Sequence, residues 1–216
     1  MSAVLTPPVK MTPVASPNRT PSPAVRPATL APEYHRFSVT DYERMVETGI
    51  LDADAPVELL EGLVVTKMPR NPAHDGTIQV VNKRLGCKLP TGWDTRVQSA
   101  IRLPDESMPE PDLTVVRGDE TSYLAKHPGP DEIGIVVEIA NTSLRLDSET
   151  KAKMYALAGI PCYWVIDLTN RIVVVRSRPI SATGFSETRT YGFGEEVPIS
   201  LDGKPVGTIA VSDLII

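Results

Sequence analysis

The chain has 216 residues, 41% of them apolar and 23% charged, with a formal net charge of -5 at pH 7. That profile fits one globular domain with a real core, and it excludes a protein that holds nucleic acid by overall positive charge, since such binding rests on neutralising phosphates. No apolar run approaches the ~18 residues of a membrane span and the N-terminus has no secretory pattern, so the sequence predicts a soluble, cytoplasmic protein without a membrane partner.

Residues 1–32 hold eight of the 21 prolines, mixed with Ser, Thr, Ala and isolated Val. Proline removes backbone donors and pushes its neighbours toward extended conformations, so this segment is read as a disordered tail, a solubilising linker or docking segment, ahead of a single domain over 33–216. Thr40-Asp41-Tyr42-Glu43 has the form of a capping box, and Tyr42, Met45 and Val46 follow at helical spacing, with Gly49 as the stop. Val57–Leu60 and Leu63–Met68 flank Glu61-Gly62 and predict a β-hairpin.

Asp75 is placed to cap a second helix, whose Ile78, Val81, Leu85 and Leu89 share one side and which Pro90 ends. Three strands are predicted next, at 95–103, 112–116 and 134–139, the last two dense in β-branched residues as in strands covered on both faces. A helix over 147–158 then leads through Gly159 and Pro161 into a strand at 162–166, which makes a parallel crossover with the strand at 134–139. A further strand is predicted at 171–176, and short strands from 191 to 216 are expected to add to the sheet edge. Cys87 and Cys162 lack C-x-x-C spacing and are read as small buried hydrophobes.

Charge is unevenly distributed along this order. From Arg70 to Leu103 six basic residues stand against two acidic ones, whereas from Pro104 to Glu138 nine acidic residues stand against Arg117 and Lys126. A basic partner-binding face beside an acidic metal pocket would produce this asymmetry, and so would ordinary solvated surface.

Asp112 borders a strand reading Leu-Thr-Val-Val, and Glu138 follows Ile135-Val136-Val137. Either acid alone is unremarkable at a strand end. If the two strands are neighbours, both carboxylates converge on one point, where hard oxygen donors suit Mg²⁺ or Mn²⁺. Lys151 shares a helical stripe with Met154, Tyr155 and Ala158, the side that should face the sheet, and a lysine there either snorkels to solvent or pairs with Glu138 or Asp147. Tyr155, one turn on, is placed to bond a phosphate or Asp147, or to serve the structure. His74 is placed to contact substrate or shuttle a proton, or to be a plain loop residue. Tyr163 and Trp164 are of a type that stacks on bases, but on a central strand facing helices they are read first as core residues.

Pro111-Asp112, Glu138, Asp147-x-x-x-Lys151-x-x-x-Tyr155 and Gly159-Ile160-Pro161-x-Tyr163-Trp164 with Ile166-Asp167 together resemble the Uma-two family of restriction-endonuclease-like proteins, within the PD-(D/E)XK nuclease superfamily. The resemblance runs from Phe37 to Val175 and takes in Glu58-Leu59-Leu60-Glu61-Gly62 and His74. It implies an α/β fold, a restriction-endonuclease-like mixed β-sheet core flanked by helices, here with a β-rich C-terminal extension. It further implies that Asp112 and Glu138 bind a divalent metal, with Glu58 as an upstream acid near the same centre. The superfamily lysine two residues after the second acid is replaced here by Ala140, and Lys151 on the following helix fits the family's alternative. Asn141-Thr142-Ser143 departs from the family's usual loop.

The activity this resemblance implies is that of a hydrolase, a Mg²⁺- or Mn²⁺-dependent endonuclease acting on nucleic acid, DNA ahead of RNA, with Asp112, Glu138, Lys151 and Glu58 as catalytic residues. The main-chain carbonyl of Ile139 is a further candidate ligand, and His74, Tyr155 and Asp147 are the candidate substrate contacts. A homodimer would suit an enzyme that cuts two strands. Intact Asp112, Glu138 and Lys151 favour the enzyme, whereas the acidic balance and the lack of an arginine-rich or zinc-finger reading element favour the alternative, a catalytically silent nuclease-like binding or regulatory module, or a nuclease whose recognition comes from a partner or dimer mate.

Overall fold

The computed structural model describes residues 33–67, 69, 71–104, 106–140 and 146–215, without the side chains of 146–148. The tail read at 1–32 and the loop Asn141-Thr142-Ser143 lie outside the described residues. The chain divides into Met1–Tyr34 and His35–Ile216, and every element below belongs to the second unit.

Helix α1 (Val39–Glu47) is capped by Ser38, whose Oγ accepts the Asp41 N–H at 3.1 Å while Asp41 accepts the Ser38 N–H at 3.2 Å. The capping box expected at Thr40 and Glu43 therefore starts two residues earlier, because an aspartate three residues after a serine closes the same reciprocal pair. Strands β1 (Val57–Leu60) and β2 (Leu63–Thr66) form the predicted hairpin. Its turn residues Glu61 (φ 48°) and Gly62 (φ 78°) are both left-handed, as a two-residue turn requires. Helix α2 (Pro72–Gly86) starts ahead of the expected cap. Asn71 accepts the His74 N–H at 3.0 Å with Pro72 in the first turn, and Asp75 lies inside the helix. Asn-Pro is the stronger start, since Pro has no N–H to leave unpaired there.

Six strands form one sheet in the order β3 (Trp93–Val97), β4 (Leu113–Arg117), β5 (Ile133–Ala140), β6 (Cys162–Asp167), β7 (Ile172–Ile180), β8 (Gly184–Tyr191). The expected strand at 95–103 stops at Val97, because Gln98 takes φ 44° and turns the chain out of the ladder. β5 and β6 are parallel and joined by α3 (Leu146–Leu157), the predicted crossover; the other neighbouring pairs are antiparallel.

Side chains alternate between two cores, as the strand period demands. On one face Leu113, Val115, Ile135 and Val137 pack with Ile78, Val81 and Leu85 of α2. On the other, Val116, Val136, Tyr163 and Val165 pack with Ala152, Tyr155 and Ile160. Strands β9 (Glu196–Leu201) and β10 (Lys204–Ala210) form a separate hairpin instead of extending the sheet edge, which β8 occupies. Val197, Ile199 and Leu201 are buried in the α2-side core, covering sheet surface that one 15-residue helix leaves open. The short α4 (Val211–Leu214) follows. Trp164 and Tyr163 are buried, as expected. Cys87 is exposed, contrary to expectation, because it sits at the end of α2 and off the Ile78–Val81–Leu85 stripe; Cys162 is partly buried. No helix among the described residues is long and apolar enough to cross a membrane.

Candidate active site

Strand register brings the two predicted carboxylates together. β4 and β5 are antiparallel with Leu113 opposite Val137 and Thr114 opposite Val136, so one step further sets Asp112 beside Glu138 on the face covered by α3. Pro111 lacks a backbone donor and ends the β4 ladder there. The Ile139 N–H, left beyond the end of β4, is taken instead by Asp112 Oδ2 at 2.8 Å. The carboxylate thus stands in for a missing strand carbonyl and is anchored to the backbone next to Glu138.

Glu58 reaches the same point from the hairpin. Leu59 and Met108 exchange backbone bonds, the Met108 N–H donating at 2.8 Å, and this docks β1 against the segment leading to Asp112. Glu58 Oε2 accepts the Glu110 N–H at 3.0 Å. Its Oε1 lies 3.2 Å from Lys151 Nζ, which is also 3.1 Å from Glu138 Oε1. One helical turn along α3, the Tyr155 hydroxyl donates to the same Glu138 oxygen at 3.0 Å. The stripe read from the sequence therefore delivers its lysine and tyrosine to Glu138.

Burial governs the electrostatics. The side chains of Glu58, Glu138 and Lys151 are 7%, 14% and 11% exposed. Burial pushes the Glu138 carboxyl up to about 7; the Lys151 charge opposes this, and the Asp112 and Glu58 charges add to it. For Lys151, burial disfavours the ammonium, but Glu138 and Glu58 more than offset it and hold the pKa above its ordinary value. Burial, with Glu138 beside it, raises the Tyr155 phenol well above its usual range, so it stays a neutral donor. Glu58 and Glu138 flank the ammonium, with Asp112 beside Glu138, so acids outnumber the one cation at this centre.

His74 stands at the start of α2, with Nε2 3.2 Å from Asp112 Oδ2. Its hydrogen bond to Asp112 raises its pKa, burial opposes, and the charges of Asp112 and Asp75 reinforce the rise. Tyr155 is fully buried, with its hydroxyl on Glu138. The Asp147 side chain lies outside the described residues. Sequence reasoning passed over Asn71, which sets His74, and Glu110, whose N–H holds Glu58 and whose carboxylate pairs with Lys67 at 2.7 Å. Asn-Pro at 71–72 was a readable helix start, whereas nothing local marks Glu110, whose role depends on the hairpin docking at Met108. Asp167, fully buried, accepts the Asn170 N–H at 2.9 Å and its Nδ2 at 2.7 Å, and so serves the β6–β7 turn.

The donor set fits a hard divalent cation. Mg²⁺ and Mn²⁺ are commonly held by one or two carboxylates, with water and substrate oxygens completing the shell. Asp112 and Glu138 meet that need, and the two bonds described on each fall on a single oxygen, Oδ2 and Oε1 respectively. Among the described residues no group of three His, Cys, Asp or Glu side chains is arranged to hold a metal ion.

A mixed sheet flanked by helices, with acids at the adjoining ends of β4 and β5, is a restriction-endonuclease-like fold. The Uma2 family model, described as "Putative restriction endonuclease", matches residues 39–206, and the chain belongs to that family. The chain is also similar to the crystal structure of "a putative nuclease belonging to DUF820 from Anabaena variabilis ATCC 29413", with 19% identity, 79% of this chain and 96% of that chain covered, and a TM-score of 0.58. At that identity the likeness establishes the fold. No curated protein matches the chain significantly.

Proposed function

We propose that the protein is a divalent-metal-dependent endonuclease that hydrolyses phosphodiester bonds, with DNA as its substrate. The observation that carries this reading is the bridge made by Lys151 between Glu58 and Glu138, beside an Asp112 anchored to the main chain of Ile139. A module that only binds need not keep a lysine on a core-facing stripe, so its retention beside both acids favours the enzyme. Membership of a restriction-endonuclease family supports the choice of DNA.

In this reading Asp112 and Glu138 hold Mg²⁺ or Mn²⁺ through their remaining oxygens. When bound, such an ion polarises a phosphodiester oxygen and lowers the pKa of a coordinated water. Lys151, kept charged by its two carboxylates, stabilises the negative charge that develops on the phosphoryl oxygens, an effect worth a few kcal/mol when preorganised. Glu58 fixes the position of Lys151, and Tyr155 fixes Glu138.

The test is to incubate the purified chain with supercoiled, linear and single-stranded DNA and with RNA, in Mg²⁺, Mn²⁺ or EDTA, alongside Asp112→Ala and Lys151→Ala. Cleavage of DNA that needs the metal and both side chains is expected. Cleavage persisting in EDTA or in Asp112→Ala would overturn the proposal. Mn²⁺ binding with no cut substrate would favour the silent module.

A further inference from the structure

We propose that His74 is a positioning residue for Asp112, setting the carboxylate so that Oδ1 faces the cation; this rests on the metal-centre reading above. Asp112 Oδ2 receives two donors from different layers of the fold, the sheet and the helix that covers one of its faces. One is the Ile139 N–H of β5 at 2.8 Å, and the other is His74 Nε2 of α2 at 3.2 Å. The terminal torsion of an aspartate is otherwise broad, so a single donor leaves the second oxygen free to swing. Two donors on one oxygen from different directions fix it.

The backbone that carries the imidazole is fixed, while the ring's Nδ1 is buried without a hydrogen-bond partner among the described residues. Asn71 Oδ1 accepts the His74 N–H at 3.0 Å, Pro72 sets the first turn, and the ring is 14% exposed. An ionised carboxylate only accepts, so Nε2 carries the hydrogen of this bond. Asp75 Oδ1 lies 3.6 Å from Nδ1, beyond normal hydrogen-bond reach. Because Nε2 is engaged by Asp112, the ring acts through that residue. Groups that orient a metal-binding side chain in this way typically change metal affinity by about ten- to a hundredfold when removed.

Mn²⁺ alone is the probe, with binding read by calorimetry and by the loss of free Mn²⁺ signal in electron paramagnetic resonance. His74→Ala is expected to weaken binding about ten- to a hundredfold, with the metal-free far-UV circular dichroism unchanged to show that the variant is folded. His74→Gln, whose amide can donate to the same oxygen, is expected to recover most of that loss. Undiminished Mn²⁺ binding by His74→Ala overturns this inference while leaving the metal centre standing. Binding by His74→Gln as weak as by His74→Ala overturns it as well, since a donated N–H would then not be what Asp112 requires. A wild-type chain that takes up no Mn²⁺ overturns the metal-centre reading and this inference together.

Discussion

The ammonium of Lys151 stands 3.1 Å from Oε1 of Glu138, across the crossover that joins two parallel strands, and 3.2 Å from Glu58. Breaking a buried pair leaves an uncompensated charge, which costs about 3–5 kcal/mol. Lys151→Met keeps the length and loses the charge, so it should destabilise the metal-free protein by about 3 kcal/mol at neutral pH. The deficit should shrink toward pH ~5, because the unpaired acids can then take up protons. Urea denaturation in EDTA at the two pH values checks this; an equal deficit at both would mean that lost packing, not charge, is responsible.

Glu138 titrates in the folded protein near 7, well above its ordinary 4.5. A folded pKa above the unfolded one means that the native state binds the extra proton. The resulting stability is present below about 4.5 and is lost as pH rises through about 7. His74, also raised above its ordinary 6.5, contributes with the same sign. Glu138→Gln isolates the first contribution. In EDTA, wild type minus variant stability should fall by on the order of 2 kcal/mol between pH ~5 and ~8. Mn²⁺ affinity of the wild type should climb over the same interval, because the proton and the cation compete for one carboxylate.

Tyr155 is fully buried and its hydroxyl ends on Glu138, so the phenol acts on the acid and not on a substrate in solvent. Tyr155→Phe preserves the ring packed 5.1 Å from Tyr163 and removes one hydrogen bond to a charged group. A loss of about 1.5–3 kcal/mol is expected by denaturant titration. In the cleavage assay turnover should fall while KM for DNA holds; a rise in KM alone would return Tyr155 to a substrate-contact role.

The centre was legible in the sequence to the extent that its residues contradict their local pattern. Asp112 borders one apolar strand, Glu138 interrupts another and Lys151 interrupts an apolar helical stripe; each alone is ordinary, and only the three together point to a shared tertiary centre. The adjacency of β4 and β5 was a condition the sequence left open, and the antiparallel register of Leu113 with Val137 now meets it. Local chemistry misled where two signals competed. Ser38 and Asn71 outrank Thr40 and Asp75 as helix caps, and Gln98 in a left-handed conformation cuts short a strand that reads as continuous. The contact between His74 and Asp112 was not legible, because it joins helix α2 to the sheet it covers and leaves no periodic trace.

The cysteines differ in a way that chemistry can read directly. Cys87 is exposed at the end of α2, whereas burial pushes the Cys162 thiol up to about 12. Only the thiolate is nucleophilic, so iodoacetamide at neutral pH should modify the exposed Cys87 well ahead of Cys162. Peptide mass spectrometry of the native and urea-unfolded protein checks this. Rapid native labelling of Cys162 would mean that β6 opens locally.

Gly134 is the point on β5 where the C-terminal hairpin closes onto the sheet. A Cβ there would lie 2.6 Å from Leu201 Cδ2 and 2.7 Å from Trp93 Cζ3, so both neighbours would have to move. Trp93 is held by the Arg117 guanidinium 4.6 Å from its ring, and Arg117 is itself paired with Asp202 at the tip of the hairpin. The strain is therefore shared among residues that cannot yield separately. Gly134→Ala should cost about 1–3 kcal/mol, the usual range for overpacking. In Leu201→Ala, which opens space at the same contact, the added alanine should cost less, a coupling that a double-mutant cycle measures. Gly134 precedes Glu138 by four strand residues, about 13 Å along β5. Folded Gly134→Ala should therefore bind Mn²⁺ as wild type does, and weakened binding would show that the hairpin and the acidic centre are mechanically linked.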